Sequence, residues 1–136
     1  MIQQLLREWP PGYGGVERVA HALAEELGGT VFALRPPQGA DPVPVGYPRW
    51  RLPSIAMGRL LWPLPSRSLW TLLASRQPLL AHLPCPTVLA LVLLARLWRP
   101  SRPIRVHWHA FVDPRPGLQG WLEQRYQAAA LRLLRG

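Results

Sequence analysis

Few residues of this chain are equipped for chemistry, and most of them close short apolar runs. His82 stands near the end of the run 79–83, and His107-Trp108-His109 ends the run that starts at Ile104. In a strand, His107 and His109 point to one face and Trp108 to the other. An imidazole at the edge of a cleft can hydrogen-bond a ligand or shuttle a proton near neutral pH; a purely structural role is the alternative. A His pair at i and i+2 can also hold zinc, but no Cys, Asp or Glu stands at ligand spacing beside it, so no metal site is expected. Gly14-Gly15 precedes a helical pattern. Without Cβ atoms that backbone can approach a ligand, and the N–H groups and partial positive charge of a helix N-terminus suit a phosphate. The same pair also serves a tight turn, and it is neither a G-x-G-x-x-G fingerprint nor a P-loop.

The remaining reactive side chains support less. Cys85 lies between Pro84 and Pro86 and reads as a buried, inert thiol. A single Cys excludes an internal disulfide framework and a multi-Cys zinc site. Asp113 and Glu123 are the only acids in the second half, ten residues apart across a turn, so no carboxylate pair can be argued. No G-x-S-x-G elbow is present.

Composition bounds the partners. The chain has 136 residues, enough for one domain, and 49% hydrophobic residues, enough for a core. Its formal charge is +9, carried entirely by Arg, with no Lys. Residues 1–68 hold seven Arg against five acids, and residues 69–136 nine against two. Such a basic half suits an anionic partner, unless Arg merely replaces Lys as a habit of the genome. Arg49, Arg51, Arg59, Arg67 and Arg76 interleave with Trp50, Trp62 and Trp70, a pattern suited to anionic lipid headgroups or to a solvated face over a core. No nucleic-acid recognition motif appears. The N-terminus does not read as a signal peptide, and the most apolar run, 88–95, is too short to span a bilayer. The expectation is a cytoplasmic protein, peripheral at most on the inner face of a membrane.

The elements that must position these residues alternate as in an α/β fold with a parallel sheet flanked by helices. Residues 1–8 form a first strand, weakened by Gln3-Gln4. A Pro/Gly loop follows, then a helix over 16–27 with apolar residues at 16, 19, 20, 23, 24 and 27, stopped by Gly28-Gly29. Strands are expected at 30–34, 79–83 and 104–109, and a short one at 50–52. The Pro-rich segment 35–65 excludes a long helix. Helices are expected at 66–75, with Ser66 as cap, at 87–98, and at 118–134 after a turn at 114–117.

Three blocks in this order resemble family-four glycosyltransferases. Pro11-Gly12-Tyr13-Gly14-Gly15-Val16-Glu17-Arg18 is similar to the family's P-x-x-G-G-aliphatic-E-basic loop. Ala81-His82-Leu83-Pro84-Cys85-Pro86 resembles its H-x-P-x-P strand end. Val106-His107-Trp108-His109, with Tyr126 and Leu131 downstream, resembles its strand-end W-H and following helix. The resemblance implies the N-terminal, acceptor-side Rossmann-like domain of a GT-B fold over residues 1–136. It implies retaining transfer of a hexose from a nucleotide-sugar co-substrate to a glycan or lipid-linked acceptor, without a metal or other cofactor. Carried over, Gly14 and Gly15 approach donor phosphates and acceptor, His82 belongs to the substrate site, and His109 donates to the transferred sugar as the catalytic-site His. Ala110-Phe111 replace the Ser-Asp that many members carry after that His. The donor-binding C-terminal domain has no counterpart in these residues. The chain is therefore expected to be an N-terminal portion, inactive alone, or half of a split enzyme completed by a separate donor-domain chain. The competing reading is a non-catalytic, basic membrane- or partner-binding module.

Overall fold

A computed structural model describes residues 1–12, 14–37, 39–40, 43–109 and 117–135. In chain order the elements are β1 (Gln3–Leu6), α1 (Gly15–Leu27), β2 (Val31–Ala33), β3 (Arg49–Arg51), β4 (Ser54–Met57), β5 (Leu60–Pro63), α2 (Arg67–Ala74), β6 (Leu79–Leu83), α3 (Pro86–Trp98), β7 (Ile104–Trp108) and α4 (Leu118–Arg135). Five strands form a parallel sheet in the order β3-β2-β1-β6-β7, a Rossmann-like α/β arrangement. The chain winds outward from β1 through β2 and β3, then returns to β1's other side for β6 and β7. Right-handed crossovers in opposite directions place α1 and α3 on opposite faces.

Each face has its own core. Leu5, Ala81 and Leu83 pack with Leu72 of α2 and with Val88 and Val92 of α3. Leu6, Val31, Ala20 and Ala24 form a smaller core beneath α1. Burying a side chain such as Phe32 or Leu72 completely is worth about 1.5–3 kcal/mol each. The connection from α1 to β2 needs glycine. Gly28 caps the helix with its N–H on the Ala24 carbonyl, and a Cβ on Gly29, at φ 101°, would collide with the Ile2 carbonyl.

The structure bears out all four expected helices and the order of the expected strands, with boundaries moved by a residue or two. Ser66 caps α2 as expected, its hydroxyl accepting from the Leu69 N–H at 3.2 Å. Gln3-Gln4 do not weaken β1; both side chains are buried and hydrogen-bonded. The Pro-rich segment holds an antiparallel hairpin, β4–β5, that sequence reasoning did not anticipate. Pro53 precedes it, Pro63 is the last residue of β5, and Gly58 turns it at φ 64°, which a two-stranded ribbon tolerates. The turn expected at 114–117 lies, apart from Gly117, outside the described residues, as does Asp113.

Candidate functional site

In open parallel sheets ligands bind beyond the carboxyl ends of the strands, where the winding direction reverses. Here that point lies between β1 and β6. The Pro/Gly loop leaves β1 there, and β6 and β7 bring three imidazoles to it. His82 pairs in register with His107 across the β6–β7 ladder, and the His109 N–H donates to the Leu83 carbonyl at 2.9 Å. His107 and His109 share a face as strand alternation requires, and their rings stack at 4.1 Å. His82 and His109 stack at 4.9 Å. His82 is buried, His109 half-buried and His107 exposed.

A hydrogen-bond chain orders the protons. The Gln4 amide nitrogen donates to the Ala20 carbonyl at 3.0 Å, which turns its oxygen toward His82. His82 Nε2 lies 2.7 Å from that oxygen and must donate to it. His82 Nδ1 is then a bare acceptor, and His109 Nε2 donates to it at 2.7 Å. This leaves Nδ1 of His109 as an acceptor. Burial first, then the neighbouring His109 and His107, pushes the His82 pKa down to about 3. Burial and His107 also lower His109, against an opposing pull from Glu17. Both rings are neutral at physiological pH.

The Gly loop is built around Glu17. Its carboxylate tucks under the loop, so a Cβ on Gly14 would collide with Glu17 Oε2 and one on Gly12 would come within 2.8 Å of Glu17 Cγ. Glu17 is 8% exposed and its Oε2 has no hydrogen-bond partner among the described residues. Gly14 is the N-cap of α1. Gly15 is different: a Cβ there meets nothing within 4 Å, so no internal packing demands glycine.

Arg49 braces the loop from outside, donating to the carbonyls of Pro10 (2.7 Å) and Val43 (3.0 Å), with its guanidinium over Trp9. It therefore leaves the exposed Arg/Trp stripe read from the sequence. Arg102 leaves the basic surface as well, being buried. Arg51, Arg59, Arg67 and Arg76 remain exposed. Trp62 and Trp70 are exposed too, as are Ile55 and Met57 of the hairpin.

Gly14, Gly15, His82 and His109 thus come to one end of the sheet. Sequence reasoning missed Gln4, Glu17 and the part played by His107. It set a metal aside because no Cys, Asp or Glu stands at ligand spacing beside His107 and His109; the structure instead brings a third His, His82, to them from the next strand. Cys85 is buried, as expected. Tyr126 packs against the larger core, where burial and then Cys85 raise its pKa to about 12. Among the described residues no helix is long and apolar enough to cross a membrane. Comparison with family models, curated proteins and solved structures finds no match to this chain.

Proposed function

We propose that this chain is the acceptor-side domain of a nucleotide-sugar-dependent hexosyltransferase of the family-four, GT-B type, serving glycan or glycolipid assembly. The observation that carries this reading is the meeting of the Gly14-Gly15 loop with the His82–His109 pair at the reversal point of the sheet. The exposed α1 N-terminus offers backbone N–H groups to a diphosphate. The open space over Gly15, which packing does not require, fits close approach of a ligand. The hydrogen-bond chain amends the role expected of His109: its outward Nδ1 accepts from a sugar hydroxyl rather than donating to it. His82 positions His109 and does not itself reach the ligand.

In this reading a donor-binding domain, on a following segment or a separate chain, supplies the groups that hold the nucleotide. The chain alone binds donor weakly and turns over none. The test is an NMR titration of the chain with UDP-glucose, GDP-mannose and a panel of acceptor glycans at millimolar concentration. Movement of the Gly14, Gly15 and His109 amides is expected. If all three stay still with every probe, the reading fails. The exposed Trp62, Trp70 and hairpin residues among Arg side chains support a membrane-docking role for the same domain, which a lipid-linked acceptor would require.

A further inference from the structure

We propose that His82, His107 and His109 form a binding site for one divalent transition-metal ion, with zinc as the best-suited ion. One nitrogen from each ring can be chosen so that all three lie within 4.8 Å of one another. A tetrahedral zinc with bonds of about 2.0–2.1 Å needs ligand nitrogens roughly 3.3–3.4 Å apart. The 2.7 Å His82–His109 hydrogen bond would open by several tenths of an ångström, and the exposed His107 would move inward. Two ligands come from a strand and its extension, and the third from the neighbouring strand in register, so the sheet itself sets their spacing.

The surroundings are those of a ligand set. A metal-bound His usually gives its other N–H to an acceptor that fixes its tautomer. Gln4 does this for His82, and is itself held by the Ala20 carbonyl. The His82 lone pair at Nδ1 therefore already faces the cluster. Glu17, close enough to act electrostatically on His109, supplies negative charge nearby. Three imidazoles favour zinc, copper or nickel over magnesium or calcium, which take oxygen ligands. With three protein ligands and one of them at the surface, the fourth position falls to water or a substrate atom. Binding moves the His109 proton from Nε2 to Nδ1 through solvent, so the outward nitrogen of His109 turns from acceptor to donor.

This inference is independent of the glycosyl-transfer reading, because its probe is the metal alone. The full chain, stripped with chelator, is titrated with Zn²⁺ against a chromophoric competitor, and separately with Co²⁺ while its visible absorption is recorded. The expected result is one equivalent bound at micromolar Kd or tighter, with the intense visible bands of tetrahedral cobalt. His107→Ala, at an exposed strand position, should fold as the parent does by circular dichroism and weaken binding at least 100-fold. Gln4→Leu should weaken it about 10–100-fold by freeing the His82 tautomer. His21→Ala removes the fourth His of the chain, which bonds to Tyr47 instead, and should change nothing. Zn²⁺ affinity equal in the parent and in folded His107→Ala, or lost with His21→Ala, would overturn the proposal.

Discussion

Replacing Arg102 with Met should cost this fold about 3–5 kcal/mol, a large share of the ~5–15 kcal/mol that a domain of this size has available. Arg102 is 6% exposed and lies at the amino-terminal end of the sheet, opposite the His cluster. Its guanidinium donates through Nε to the Gln77 carbonyl (2.7 Å), through Nη1 to the Leu72 carbonyl (2.6 Å) and through Nη2 to Gln3 Oε1 (2.7 Å). Leu72 sits in the last turn of α2, where carbonyls have no partner within the helix. One side chain thus ties α2, the α2–β6 connection and β1 together. Truncation leaves three acceptors unpaired, at ~1–3 kcal/mol each where burial is complete. Relief of the desolvation that lowers the Arg102 pKa offsets part of this, and Met refills part of the volume. The net loss corresponds to roughly 10–20 °C in Tm for a chain of this length. Arg102→Lys should recover little of it, because an ammonium cannot reproduce the planar fork toward three acceptors. Urea and thermal unfolding of the parent and both variants provide the assay. A Met variant within 1 kcal/mol of the parent, or a Lys variant equal to it, would refute the reasoning.

Acid should destabilise the metal-free protein in a window set by His82. Its folded pKa of about 3 lies below the ordinary 6.5, so between these values the unfolded chain binds a proton that the folded chain excludes. Stability is full above pH 6.5 and falls by ~1.4 kcal/mol per pH unit below it. His109 pulls the same way; His107 and Glu17 are the other titratable groups coupled to this pair. Urea midpoints at pH 7 and 5 in chelator should show this fall, and His82→Asn should flatten it; a parent without the fall contradicts the assignment. Gly14→Ala should destabilise by up to about 1 kcal/mol, because the Glu17 carboxylate must turn aside and alanine is a poorer N-cap than glycine. Gly15→Ala should instead be neutral or stabilising by up to ~1 kcal/mol, since its Cβ meets open space, yet should blunt the sugar-induced NMR shifts. Denaturation and titration of the two variants separate packing from ligand approach, and equal stability losses would count against this distinction. Anionic vesicles should shift Trp fluorescence to the blue through Trp62 and Trp70, 39% and 56% exposed, and salt should reverse it. Equal binding to neutral vesicles would remove the electrostatic basis.

Periodicity along the chain was enough to locate α1, α2, α3 and α4, because each depends on local spacing, a cap or a stop. Ser66, the Gly28-Gly29 stop and Pro100 are such signals. The strands 79–83 and 104–109 were legible as apolar runs, and with them the placement of His82 and His109 at strand ends. The β4–β5 hairpin was not, because proline density masked two short strands that pair only with each other, in a two-stranded sheet of their own. Gln3 and Gln4 misled for a related reason: polar residues in a strand look like a defect until their partners, 99 and 78 residues away in the chain, are known.

The amino-acid order alone therefore determined the α/β alternation and which residues stand at the ends of strands. Tertiary structure decided what those residues meet. The register of β6 against β7 brings His82 to His107 and His109, and the placement of β1 beside β6 sets Gln4 against His82. Register between strands separated by a whole helix is fixed by packing on both sheet faces, which no local window of sequence contains.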